Sequence, residues 1–371
     1  MRVCLFATSK AVHGRRVIEG LIGRGIRVHL VHRDPGEVPG ATCEQYAVPG
    51  VSLRSPRRWA ARQRRYLGRF FREFDAVGVF FLNDWGFDAE IVEEGRLAVW
   101  PWGSDVCPPP SAPPSSAEAA ERRRCLLRCA DAVATCSDWF GAKVADFAGL
   151  DRGCVRTVPL GVDLQTFKPA AELPAEPVVG FVKGFGLAYG PGYLVRAMPR
   201  IAAAVPDVRF ELVGDGPLLD PCCELAETLG VAERIRWLLQ VPHEEVPGVL
   251  RRWQVSVIPS VCESFGVAAL ESSAMQVPVV ASKVGGLPET VIDGQTGTLV
   301  RAADSEAIAD AVIDLLRDRD QRIAMGQAGR RFVGDRFEWT ECVSRWVDFF
   351  ESAASGLTSP GALLSPGVPV S

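Results

Sequence analysis

Two glutamates, Glu263 and Glu271, stand eight positions apart in CESFGVAALESS (262–273). An apolar strand-like run, VSVIPS (255–260), precedes them, and FGVAALESSAMQ (265–276) begins like a helix. Ser264 is placed to cap that helix, and the first-turn amides of Phe265, Gly266 and Val267 have no intrahelical acceptor. Free amides and the helix dipole together suit an anion, most often a phosphate, and Gly266 keeps the backbone approachable. On helical geometry Glu271 lies about 80° around the axis from position 263. An anion flanked by two carboxylates that accept from hydroxyls matches the pyrophosphate, sugar and ribose of a nucleotide-sugar. The same residues would also suit a capped helix with two solvated acids, and spacing alone favours that bland alternative.

The elements around the pair follow a repeating order. RVCLFA, TSKAVHG and RRVIEGLIGRG read as strand, loop and helix, and VHLVH as the next strand. This is a βαβ unit of a parallel sheet. Further strand candidates are 76–82, 96–100, 131–137 and 154–160. FKPAAELPAEP (167–177) lacks periodicity and reads as a linker. A second series of strands follows: VVGFV, VRFELVG, RIRWLL, VSVIPS, VPVVAS and TGTLV. The expected fold is α/β, with two Rossmann-like doubly wound domains facing a central cleft. Residues 1–168 form the first and 169–353 the second, with the last helix free to cross back. CPPPSAPPSSA (107–117) and the charge-free tail 354–371 read as unstructured.

Composition narrows the function. Hydrophobic residues are 47%, charged residues 23%, and the formal net charge is -4, which gives no global drive toward nucleic acid or an anionic membrane. The eleven cysteines include no CxxC pair, which fits reduced, buried thiols in a cytoplasm. No apolar run reaches the roughly 18 residues of a spanning helix, and RVCLFATS is too short for a signal h-region. SKAVHG (9–14) is not G-x-G-x-x-G, so no nicotinamide cofactor is expected. DRD (318–320) follows a helix and reads as solvated charge, not a metal site. RSPRRWAARQRRYLGRFFREF (54–74) puts Trp59, Tyr66, Leu67, Phe70 and Phe74 on one face and five arginines on another. Such a helix either packs its aromatic face on the domain or touches an anionic membrane surface.

Residues 178–350 resemble the retaining GT-B glycosyltransferases of family 4. The resemblance rests on LVGDGP (212–217), on 241–300 with its E-x7-E and intervening SFG, and on RFEWTE (336–341). VPLGVDLQTFKP (158–169) is similar to the family's interdomain segment, with Leu160 where Asn is usual. The resemblance implies a nucleoside diphosphate sugar donor (GDP or UDP), front-face transfer and no metal requirement. It makes Glu263 and Lys183 catalytic candidates. Lys183, in GFVKGFGLAYG (180–190), is also a donor ligand; Ala188 stands where a second lysine is common. The donor set is Gly14, Lys183, Val241, Glu263, Ser264, Phe265, Gly266, Val267 and Glu271, with Glu263 on the sugar and Glu271 on the ribose. The first half adds His13, Asp84, Trp102 and Asp105 as acceptor candidates, and Asp105 as a catalytic candidate where relatives carry histidine at Trp102. The acceptor is expected to be a small soluble molecule such as an aminocyclitol, thiol or glycoside. A lipid or cell-envelope glycan is the alternative, and a non-catalytic nucleotide-sugar sensor is the competing class.

Overall fold

The computed structural model describes residues 1–34, 36–46, 56–82, 96–108, 116–172 and 174–356, with the side chains of 56–61 and 63 outside the description. Two parallel sheets organise it. The first holds β1 (Arg2–Phe6), β2 (Arg27–His32), β3 (Thr42–Gln45), β4 (Ala76–Phe80), β5 (Leu97–Trp100), β6 (Ala132–Thr135) and β7 (Val155–Thr157), ordered β3-β2-β1-β4-β5-β6-β7. The second holds β8 (Val178–Val182), β9 (Arg209–Val213), β10 (Ile235–Leu238), β11 (Val255–Ile258), β12 (Val279–Ser282) and β13 (Gly297–Val300), ordered β10-β9-β8-β11-β12-β13. Every pairing is parallel, and each order reverses once, between β1 and β4 and between β8 and β11. Both are therefore Rossmann-like doubly wound sheets, as the strand series predicts.

The central strands are short β-branched runs with both faces buried, as in AVGVF (76–80) and VSVI (255–258). Edge strands depart from this, β3 most of all. TCEQ is exposed or half-exposed along its length, so it carries no apolar signal and is missing from the strand series read in the sequence. It forms by pairing with β2, His29 against Thr42 through His32 against Gln45.

The described residues up to Pro159, with those from Thr340 on, make one compact unit, and Leu160–Trp339 make the other. The first change of unit thus falls before the non-periodic linker 167–177, which lies within the second unit. The second falls inside helix α12 (Trp339–Ser355). Trp346 of α12 is fully buried, 4.4 Å from Trp100 and 5.6 Å from Phe80 between ring centroids. Gly78 on β4 makes this packing possible, because a Cβ there would stand 2.8 Å from Phe350.

Helix α2 (Pro56–Glu73) settles one alternative for its described part. Leu67, Phe70 and Phe71 are buried, and the Phe70 ring meets Phe6 edge-on at 5.2 Å. The aromatic face from Tyr66 onward packs on the first sheet and is not presented to a membrane. Arg62, Arg64, Arg65 and Arg72 remain exposed. Among the described residues no helix is long and apolar enough to cross a membrane. All eleven cysteines are free thiols, but only Cys4, Cys136, Cys222 and Cys342 are buried. The DRD turn is a helix junction in which Asp318 accepts from the Gln321 amide at 2.9 Å and caps α11 (Arg319–Arg336).

Candidate active site

Lys183 follows β8 directly, and Glu263 lies in the loop after β11. Both leave the carboxyl ends of the two strands between which the order reverses. That crevice is where open α/β sheets bind ligands. Lys183 Nζ stands 2.7 Å from Glu263 Oε2, with the side chains 19% and 9% exposed. It also lies 4.9 Å above the Tyr189 ring. Burial pulls the Lys183 ammonium toward neutrality. The Glu263 carboxylate, with smaller help from Tyr189 and Glu271, outweighs it and holds Lys183 above the ordinary lysine range. The site therefore keeps a fixed positive charge next to a carboxylate.

Backbone contacts hold the two loops together. Val261 and Cys262 amides donate to the Ala188 carbonyl at 2.8 and 3.1 Å. The Lys183 amide donates to Val213 O at 3.0 Å. Gly214 (φ +134°) sits so close that a Cβ would meet Lys183 O at 2.0 Å. From the other side the Gly286 amide donates to Glu263 O at 3.0 Å. Gly285 (φ +55°) allows that approach, since its Cβ would fall 1.8 Å from the same carbonyl.

Helix α8 (Val267–Ala274) starts two residues later than its sequence suggests. Its N-cap is Gly266, at φ +107°, and no side chain caps it, so Ser264 does not play that part. The physical reason is room: a Cβ at Gly266 would meet Leu287 Cδ2 at 2.6 Å, and only glycine enters the helix along this path. Ala269 N already reaches Gly266 O at 3.0 Å, so the amides left over by the helix are those of Gly266, Val267 and Ala268. Phe265 is buried, with its ring 5.8 Å from Phe337, and contributes packing. Since Glu263 is not on the helix, the 80° estimate does not apply. All eight residues of α8 are buried. Glu263 and Glu271 are 8% and 6% exposed, which removes the solvated-acid alternative.

Glu271 is paired as well. Its Oε1 lies 2.8 Å from His243 Nε2. His243 opens a short 3-10 turn, His243–Glu245, two residues after half-buried Val241. The sequence reading selects Val241 and passes over His243. The signal was slight: a single histidine in VPHEEVPG, with no local pattern to tie it to a residue 28 positions on.

In the first unit, α1 (Val12–Gly23) follows β1 through the loop 7–11. Asp34 gathers that loop, accepting from Ser9 Oγ (2.9 Å) and the Lys10 amide (2.8 Å). Burial acts to raise its pKa, but hydrogen bonds from Thr8, Ser9 and backbone amides prevail and lower it. Gly14 faces the Trp102 indole, where a Cβ would stand 3.3 Å from the ring, and His13 lies 6.3 Å from the same ring. Gly14 thus makes room for an aromatic side chain. Asp105 is 1% exposed, and its oxygens accept from Leu82 N (3.0 Å), Trp102 N (3.0 Å) and Gly103 N (2.9 Å). Burial raises its pKa against those bonds. Its carboxylate organises the turns after β4 and β5. Asp84 lies outside the described residues. Among the described residues no group of three or more His, Cys, Asp or Glu is arranged to hold a metal ion.

Two family models divide the chain between them. Glycosyltransferase Family 4 matches residues 11–166, and Glycosyl transferases group 1 matches 165–332. The chain belongs to the family 4, group 1 glycosyltransferases. Among the relatives of this family member is a GDP-mannose-dependent alpha-(1-6)-phosphatidylinositol monomannoside mannosyltransferase of Mycolicibacterium smegmatis. It is 36% identical over 57% of this chain and 59% of its own length. A D-inositol 3-phosphate glycosyltransferase of Corynebacterium urealyticum is 35% identical over 57% of this chain and 55% of its own. The chain thus spans a little over half the length of these curated relatives. Sucrose-phosphate synthase from Thermosynechococcus elongatus superposes with a TM-score of 0.77 at 21% identity, covering 95% of this chain and 98% of that one. Anabaena Alr3699/HepE in complex with UDP and glucose gives 0.76 at 17% identity over 95% and 100%. These likenesses fix the fold as GT-B.

Proposed function

We propose that the protein transfers a sugar from a nucleoside diphosphate donor, with retention at the anomeric carbon and without a metal. The observation that carries this reading is the buried Lys183–Glu263 pair at the reversal point of the second sheet, beside the uncapped start of α8. Lys183 and the amides of Gly266, Val267 and Ala268 stabilise negative charge as the diphosphate leaves. Glu263 accepts from the sugar hydroxyls and Glu271 from the ribose. Relatives named for GDP-mannose, and fold neighbours holding UDP, keep both GDP- and UDP-sugars in view. For the acceptor, we favour a small polyhydroxylated molecule bound by the strand ends of the first unit, with His13 and Trp102 as contacts. The inositol-phosphate relative supports this. A lipid-borne acceptor is the second reading, supported by the phosphatidylinositol mannoside relative and by the exposed arginines of α2.

Glu263→Ala and a donor panel test the assignment. Wild-type protein should turn over at least one UDP-, GDP- or ADP-sugar in the presence of chelator. The variant should lose turnover by about 10²–10³-fold while still melting cooperatively. Near-normal turnover by the variant would sink the catalytic role. Nucleotide-sugar binding without transfer or hydrolysis would favour a non-catalytic sensor.

A further inference from the structure

Glu271 sits on a helix whose every residue is buried, and its side chain is 8% exposed. A carboxyl group so placed needs a fixed partner, and its side-chain torsions must be chosen before a ligand arrives. His243 Nε2 supplies that partner at 2.8 Å from Oε1. The imidazole is itself held. Its ring lies 5.6 Å from that of Phe167, at 53°, and Phe167 is 1% exposed. Behind Phe167 stands Arg330. Its guanidinium donates to Phe167 O at 2.8 Å, to Leu164 O at 3.2 Å and to Ala274 O, the last residue of the helix that carries Glu271. Histidine, phenylalanine wall and glutamate helix are thus tied to one cation in the second unit.

We propose that His243 is a positioning residue for the donor nucleoside: it fixes the Glu271 carboxylate so that the other oxygen meets the ribose diol. The assignment rests on the donor reading given above. It predicts that His243 acts on affinity and acts only through Glu271. It also predicts that any side chain able to donate one hydrogen bond from that place replaces it.

The test uses the full-length chain and UDP, GDP and ADP as probes, first by thermal shift and then by calorimetry with whichever nucleotide binds. His243→Ala should raise Kd about tenfold, the scale of one hydrogen bond to a charged group. His243→Gln should recover most of that loss. In a Glu271→Ala background, His243→Ala should change Kd by less than about twofold, because the interaction it serves is gone. In turnover assays the loss in kcat/KM should be carried by KM. Melting curves of the Gln variant control for folding. Fully additive effects in the double variant, or a loss confined to kcat, would overturn the assignment. So would unchanged affinity in His243→Ala. A wild-type chain that binds none of the three nucleotides overturns the donor reading itself, a distinguishable outcome.

Discussion

Lys183 and Glu263 show why residue types alone underdetermine a site. The sequence marks Glu263 as a hydroxyl acceptor and Lys183 as a diphosphate ligand, 80 positions apart. The fold places them 2.7 Å from each other. On the proposed function, a donor diphosphate competes with Glu263 for the ammonium and frees the carboxylate for the sugar. Lys183→Ala should weaken nucleoside diphosphate binding by about 30- to 100-fold by calorimetry. It should also destabilise by about 3–5 kcal/mol, since Glu263 is left buried without its cation. Unchanged affinity would remove Lys183 from the site. The pH response follows from the raised pKa of Lys183. A raised lysine pKa contributes stability that is fully present below the unfolded value, about 10.4, and lost as pH rises through the higher folded value. Nucleotide affinity should therefore be flat between about pH 7.5 and 9.5, with loss only on the alkaline side. A drop centred near neutrality would point to another group.

At the scale of elements, the decisive parts are the turns. The sequence shows β11, α8 and the anion-suited helix start. It places that start two residues too early, because Ser is the better cap by local chemistry. The tertiary contact with Leu287 overrides it and demands glycine at 266. β3 is invisible for the opposite reason, as an exposed edge strand needs pairing and not hydrophobicity. Gly285 offers a test of how firmly one turn is held. Gly285→Ala adds strain at φ +55° and pushes a methyl into the Glu263 carbonyl. It should cost roughly 2–4 kcal/mol and weaken nucleotide binding with it. Gly294 has φ +72° with open space around it. Gly294→Ala should cost only about 1 kcal/mol, the left-handed penalty alone. Equal costs in urea titrations would mean that the Gly285–Glu263 contact does not restrain the loop.

At the scale of the whole molecule, chain order and compact unit part company. The first unit is completed by α12, whose Trp346, Phe349 and Phe350 are buried. Trp346→Ala should cost about 3–5 kcal/mol, the range for emptying a large aromatic site. By calorimetric melting the loss should fall on the first unit. Nucleotide affinity should stay within about twofold, because the proposed donor residues other than Gly14 lie between 183 and 271. Lost affinity in this variant would show that the second unit does not bind the nucleotide independently. Period, apolar runs and glycine stops were enough to place both doubly wound sheets, because the central parallel strands are buried on both faces and must be apolar along their length. One strand-loop-helix also supplied Glu263, Gly266 and Glu271 as candidates, and the family resemblance added Lys183. Other features depend on approach in space. Tertiary structure alone decided that Lys183 meets Glu263, that His243 meets Glu271, and that Asp105 spends its oxygens on backbone amides of two turns. Those pairings join residues from 2 to 80 positions apart, and burial, which no spacing reveals, turns them from surface charges into fixed chemistry.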